Sequence, residues 1–416
     1  MTRPPAVVPD GQSRDPGGLG GPRIAGIPVR ITPGGYLLGV LAAAFSALTL
    51  PDYAPGRSAG SYLAATAAVV VILLVSLVGH ELAHAVVARR YGGSAVATIG
   101  FFGGLSHGRT DLPSARAQWR VAAAGPAFSL LLAGLGVAAL AGLSGLGPLP
   151  EAVAAASVWI NAVLAVANLV PGAGLDGGRI VRALAWARSG DPTRAGLIAA
   201  RFGQVTGAIL TAAGITAVTL GHLFGLWVAL MGLLMVVASR AEATQVLTSA
   251  ALAGLRVRDI LPAGPDPVPT VRGWQSVQAF LDGDADGGQR SLLTHSTATA
   301  YPVRDFDGDL QGLVTLSQLQ AVPPARREMT RLSQVATPAG QVVFSTLDEP
   351  LTELRRRLAV RPATPAALHT AGHALVLGAD GELAGVITPA DFARAAQFGA
   401  LRPRRAATDP LERDSG

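Results

Sequence analysis

The apolar residues of this 416-residue chain gather between about Gly34 and Ala238, in runs long enough to span a lipid bilayer. This clustering limits the fold more than any other feature. In lipid every backbone polar group must be satisfied within the chain, and helices do so segment by segment. Half of the residues are hydrophobic and only 14% are charged, which is little charge for coating a soluble protein of this length. The charged residues crowd after Ala251. The pattern predicts a membrane domain followed by a soluble one.

Six runs read as membrane helices: about Gly34–Leu50, Ser61–Ala88, Trp119–Leu143, Ala152–Val170, Val205–Leu220 and Leu223–Ala238, the last two as a tight hairpin. The first, fifth and sixth fall short of the roughly 20 residues that cross the hydrocarbon core. Arginine, the sole basic residue besides histidine, gives the orientation. The loop Pro51–Gly60 carries Arg57 alone, and Ser144–Ala156 carries none. The loop after the second run holds Arg89, Arg90, Arg109, Arg116 and Arg120, and that after the fourth holds Arg179, Arg182, Arg188, Arg194 and Arg201. Basic loops stay cytoplasmic. Six spans then put both termini and the soluble part in the cytoplasm of a multi-pass cell-membrane protein. These loops account for much of the net charge of +6, so no nucleic-acid partner is expected.

There is no cysteine. Disulfides are excluded, and a metal must be held by His, Asp or Glu. Residues 1–32 are rich in Pro, Gly and Arg and lack the apolar core of a signal peptide; they read as a disordered cytoplasmic tail, as do residues 399–416. The stretch Ser94–Gly108 is short, broken by glycines and rich in β-formers. It reads as a cytoplasmic β-hairpin or re-entrant loop, which at membrane depth must border protein or a wet cavity.

The second run contains His80-Glu81-Leu82-Ala83-His84. Residues i and i+4 share a helix face, so the two histidines can ligate one ion. Such pairs occur by chance in soluble helices, but ionisable groups inside a span are costly and mark function. A zinc ion lowers the pKa of water to about 7, and Glu81 stands next to the first ligand, where it can take the proton and pass it to a leaving amine. A catalytic zinc needs a third protein ligand. Asp176, in Asn168-Leu169-Val170-Pro171-Gly172-Ala173-Gly174-Leu175-Asp176-Gly177-Gly178-Arg179, lies at the same cytoplasmic end and is wrapped in glycines that permit a sharp turn. An ordinary turn with a helix-capping aspartate is the plainer reading of that segment.

Together, HELAH in one span and NLVPGAGLDGGR at the end of a later one resemble the site-2 protease family of intramembrane zinc metalloproteases, peptidase family M50, over about residues 33–245. The resemblance implies His80, His84 and Asp176 as zinc ligands and Glu81 as catalytic base. It gives Asn168 a part in positioning substrate or steadying the oxyanion. Gly125-Pro126-Ala127-Phe128-Ser129 resembles the family's Gly-Pro packing element, and GFFGGLSHG, with Gly103 and Gly104, resembles its loop presenting an edge strand to substrate. Gly172-Ala173-Gly174 departs from the family, where many members carry another proline. The implied activity is regulated intramembrane proteolysis near the cytoplasmic face. The implied substrate is a single-span membrane protein, for example an anti-sigma factor or a transcription-factor precursor. The loops are too short for a PDZ-like screening module.

After Leu255 the pattern turns to short strands and helices. LQGLVTLSQL (Leu310–Leu319) and LAGVITPADF (Leu383–Phe392) form an internal repeat. They resemble a pair of CBS modules, about residues 255–320 and 331–398, within an α/β C-terminal domain. That likeness implies ATP, ADP or AMP at Thr388 and Asp391, or a homodimer through the pair; in the first module Thr315 fits, but Gln318 replaces the acid. Two rival readings are a transporter or channel gated by the pair, which should show repeated topology, and a catalytically silent scaffold.

Overall fold

The computed structural model describes residues 23–93, 97–100, 112–261, 269–283, 299–359, 370 and 372–401. Among them six helices are long and apolar enough to cross a membrane: α1 (Pro33–Tyr53), α2 (Ala59–Arg89), α3 (Ala115–Gly142), α4 (Pro148–Leu169), α6 (Pro192–Thr219) and α7 (Gly225–Leu252). A shorter helix, α5 (Asp176–Ser189), separates α4 from α6. The expected class, a polytopic helical membrane protein with an α/β C-terminal domain, is the one observed.

Local signals start these helices. Ser58 and Ser114 cap α2 and α3 by accepting from the backbone of Ser61 and Ala117, and Asp191 accepts from Thr193 and Arg194 at the head of α6. Prolines occupy the first turns of α1, α4 and α6, where their missing N–H costs nothing. Outward faces keep large apolar side chains exposed, Phe45, Leu48 and Trp159 among them. Inward faces are small, as in Ala117, Ala122, Gly125 and Ser129 of α3, so the backbones can approach closely in lipid.

The structure corrects four boundaries. Residues 23–31, expected as part of a disordered tail, form β1 (Arg23–Ile24) and β2 (Ile27–Ile31). β2 gains a parallel partner in β3 (Ala97–Ile99), a tertiary pairing no local pattern encodes. Helices α6 and α7 are each 28 residues long rather than a short hairpin, because they continue past their apolar stretches through Arg194, Arg201, Arg240 and Glu242. The arginine-rich loop after α4 is largely the amphipathic helix α5. The C-terminal tail starts later than residue 399, since a helix runs to Leu401. Of the segment Ser94–Gly108, Ala97–Gly100 are described; Gly103 and Gly104 lie outside the described residues.

The chain divides into two compact units, one ending at Val246 and one beginning at Leu247. The second unit holds two sheets. In the first, β4 (Val271–Arg272), β5 (Ala300–Arg304), β6 (Leu310–Thr315) and β7 (Thr337–Pro338) lie in that order; in the other β10 (Leu383–Ile387), β9 (Ala374–Leu377) and β8 (Val343–Thr346) do. The repeated sequence takes one form twice. An antiparallel pair, β5–β6 or β9–β10, feeds a helix at Leu316–Gln320 or Pro389–Leu401.

The two halves trade their leading segments. Leu252, Leu255 and Val257 are buried with Val343, Leu351, Leu354 and Ile387. Leu332, from between the repeats, is buried with Val271, Phe280, Tyr301 and Val314. Hydrogen bonds follow the exchange: Val257 N donates to the carbonyl of Glu349, and Leu332 N to that of Gln275. The expected division at about 320/331 therefore marks the sequence repeat, whereas each hydrophobic core draws residues from both sides of it.

Candidate metal centre

The site forms where the C-terminal half of α2 meets α3 and the start of α5. His80 and His84 sit one turn apart on α2, and both are buried. Their outer ring nitrogens are occupied. His80 Nδ1 is 2.9 Å from Ser129 Oγ on α3, and His84 Nδ1 is 2.6 Å from the Val121 carbonyl oxygen. Both Nε2 atoms therefore point inward, 3.3 Å apart.

Asp176 opens α5, and its Oδ2 lies 3.1 Å from His80 Nε2 and 3.0 Å from His84 Nε2. The turn delivering it has no room for side chains at Gly177 and Gly178. A Cβ on Gly177 would collide with the carbonyl oxygens of Leu169 and Val170, and one on Gly178 with that of Gly172. Gly174, at φ +81°, holds a left-handed conformation that L side chains rarely adopt. On the opposite wall, a Cβ at Gly125 would lie 2.6 Å from His80 Nε2 and closer still to His84 Nε2. Glycine at 125 is what lets α3 come this near.

The proton count shows what the arrangement suits. A neutral imidazole carries one N–H. The carbonyl of Val121 can only accept, so it takes the His84 proton at Nδ1. His84 Nε2 then turns a lone pair toward a carboxylate oxygen 3.0 Å away, an arrangement that needs a proton or a cation in the middle. Asp176, which lies outside the six long helices, sets a carboxylate oxygen beside the two imidazole nitrogens, and a cation among them would offset the cost of burying its charge. A tetrahedral zinc with ligands at about 2.0–2.1 Å has edges of roughly 3.3–3.4 Å. The three separations here, 3.0–3.3 Å, are close to that triangle. Two imidazoles and one carboxylate, with their outer nitrogens held, form a donor set that fits zinc. His80, His84 and Asp176 form the one such group among the described residues.

The other expected site residues lie around or away from this triangle. Glu81 is half-buried and near enough to His84 to act on it electrostatically, but it is not a corner of the triangle. Asn168 is half-buried near the end of α4 and donates to the Leu164 carbonyl of its own helix at 2.9 Å. Thr388 and Asp391 are far along the chain, in the second unit. Both N and Oγ1 of Thr388 donate to Asp391 Oδ2, at 2.9 and 2.7 Å, closing the start of the last helix. In the first repeat Thr315 and Gln318 make the corresponding closure.

Sequence reading missed two contributors. Ser129 was visible only as part of a packing element, although a lone hydroxyl among Ala127, Phe128, Leu130 and Leu131 was a signal. Val121 contributes a backbone oxygen, which no residue type can announce.

Peptidase family M50 matches residues 147–213 by its sequence profile. The chain is 40% identical over 353 residues to Rip3 of Mycobacterium tuberculosis (strain H37Rv), named as a zinc metalloprotease, across 84% of this chain and 85% of that one. It is 33% identical over 196 residues to sll0528 of Synechocystis sp., also named as a zinc metalloprotease, across 45% of this chain and 50% of that one. Among solved structures it is similar to the site-2 protease from Methanocaldococcus jannaschii, with 23% identity, a TM-score of 0.35, and 53% and 93% of the two chains covered. A CBS domain of a bacterial CNNM/CorC family Mg2+ transporter gives 16% identity and a TM-score of 0.28 over 39% and 92%.

Proposed function

Since the chain belongs to peptidase family M50 and is a multi-pass membrane metalloprotease, we propose that His80, His84 and Asp176 hold its zinc and that Glu81 is the base of an intramembrane endopeptidase. The observation that carries this reading is the convergence of His80 Nε2, His84 Nε2 and Asp176 Oδ2 to within 3.0–3.3 Å, with each outer histidine nitrogen already engaged. When bound, zinc supplies Lewis acidity and lowers the pKa of the attacking water. Glu81, one residue after His80, takes a proton from that water and returns it to the departing amine. Ser129 and the Val121 carbonyl keep the two imidazoles turned inward. Asn168 steadies the peptide or the developing oxyanion, once its amide leaves Leu164.

The substrate is a single-span membrane protein, such as an anti-sigma factor or a transcription-factor precursor. Its cleavage site lies near the cytoplasmic face, where the scissile segment can leave its helix and add as a strand beside β3. Arginine distribution and six spans support cytoplasmic termini. The C-terminal unit binds ATP, ADP or AMP at Thr388 and Asp391 and tunes cleavage, or pairs two copies of the enzyme.

The deciding test is Glu81→Gln in liposomes with a candidate membrane substrate. The variant keeps its zinc and loses about 10²–10⁴-fold in cleavage. Near-normal cleavage would remove Glu81 from the mechanism.

A further inference from the structure

Residues 23–32 precede the first span, and their composition does not mark them as part of the site. Their contacts connect them to it. β2 runs in register along β3, with Val29 opposite Ala97 and Ile31 opposite Ile99. Ile27, Val29 and Ile99 are buried in one cluster with Ala85, joined by Leu77, Val78 and Leu82. On a helix, positions 77, 78, 82 and 85 surround position 81. The small sheet therefore packs around the face of α2 that bears Glu81, while His80 and His84 turn toward α3 and α5.

Two pins hold the sheet. At one end the Arg89 guanidinium forks onto two carbonyl oxygens, that of Ala25 at 2.9 Å and that of Gly26 at 2.6 Å. The chain turns there with φ of 50° and 72°. At the other end Thr32 donates twice to the Ile99 carbonyl, from its backbone N and from Oγ1, both at 2.9 Å. An arginine at the cytoplasmic end of a span would ordinarily be solvated or bound to lipid headgroups. Arg89 spends its fork on the protein's own backbone instead.

We propose that residues 23–32 are a built-in partner strand for β3, and that Arg89 and Thr32 are positioning residues that set where a substrate strand pairs relative to Glu81. This rests on the reading that substrate adds as a strand. Among the described residues β3 has β2 on one side and no strand on the other, so the incoming strand takes the second edge. Pairing is sensitive to small shifts: one residue of slip moves a strand by about 3.3 Å and turns its side chains over. Catalysis tolerates far less, since a displacement of about 1 Å can cost about 100-fold. A pinned sheet removes that freedom before substrate arrives.

The test uses the full chain in liposomes with three variants. Thr32→Val removes the hydroxyl donor and keeps the shape; Arg89→Lys keeps the charge and loses the fork; Arg89→Ala removes both. The expected result is full zinc content with kcat lowered about 5-fold in Thr32→Val and Arg89→Lys and more in Arg89→Ala, because a strand paired out of place brings its scissile bond less often to Glu81. Hydrogen exchange at residues 97–99 should quicken in the same order, a readout that needs no cleavage. Unchanged exchange in all three variants overturns the proposal whether or not the protein cleaves anything. An equal fall in zinc content and kcat with KM unmoved also overturns it, by showing that the segment only supports the fold. Quickened exchange in the variants of a protein whose wild type cleaves no membrane substrate would leave the pins standing and sink the protease reading on which their purpose depends.

Discussion

The membrane unit and the C-terminal unit both bury polar side chains, but they complete them differently. In the C-terminal unit Gln318 is buried, and its amide is saturated. Nε2 donates to the Val335 carbonyl and to Thr337 Oγ1, while Oε1 accepts from Thr315 N and Oγ1. In the membrane unit His80, His84 and Asp176 present more lone pairs to one another than they have protons. A closed network is a structural device, because nothing more can join it without breaking a bond. An open one, kept in an environment where unmet polar atoms are costly, is shaped for something that arrives.

This contrast can be broken experimentally, and the largest effect is expected at the open cluster. His80→Ala with His84→Ala should reduce zinc from about one per chain to none. Full metal by elemental analysis of that double variant would place the ion elsewhere. Next in size is Ser129→Ala, which removes the outer partner of His80 and should weaken zinc binding about 10–100-fold while leaving the helices intact. Chelator competition measures this, and an unchanged affinity would mean that Ser129 merely fills space. In the closed network Gln318→Ala should cost about 1–3 kcal/mol, because it leaves the Val335 carbonyl and the Thr315 N–H unpaired. The loss should appear in the denaturation of the C-terminal unit and not in zinc content; a change in zinc would blur the distinction between the units.

The smallest effect sharpens the comparison within the C-terminal unit itself. Asp391 caps its helix as Gln318 does, but it keeps a second oxygen, 3.5 Å from Arg394. Asp391→Ala should cost only about 0.5–1 kcal/mol as a lost cap, and it should abolish binding of AMP or ATP measured by calorimetry on the full chain. If the parent protein binds no adenine nucleotide at millimolar concentration, both repeats are closed networks and the sensing role falls.

How much could be read beforehand follows from what each feature costs. His80 and His84 were legible because an ionisable side chain is expensive in an apolar run and their i, i+4 spacing shares one helix face, whereas Asp176, outside the long helices, was marked by the glycines around it. The spans were legible as hydropathy, but not their ends: α6 and α7 continue as charged helix where the apolar signal stops. The strand Ile27–Ile31 was illegible because five residues beside a Gly- and Pro-rich stretch carry almost no pattern, and the partner, Ala97–Ile99, is nearly seventy residues away. The repeat at Leu310–Leu319 and Leu383–Phe392 was legible as sequence, but the exchange of leading segments was not, since Leu255 and Leu332 are ordinary leucines until their neighbours are known.

That exchange also sets a schedule for synthesis. The residues around Val257 take their backbone partners from Leu347, Glu349 and Leu351, so for about ninety residues of translation they have nothing to bond. At roughly 5–20 residues per second the wait is about 5–20 s. During that interval α7 is already made, while the core that begins at its end is unsealed. A chain ending anywhere between Ala321 and Arg331 would therefore leave neither half complete: the first without Leu332 and the second without its strands. The core around Leu332 should accordingly close first, once Ala336 is made, and that around Leu255 only when Ile387 and Ala395 have followed.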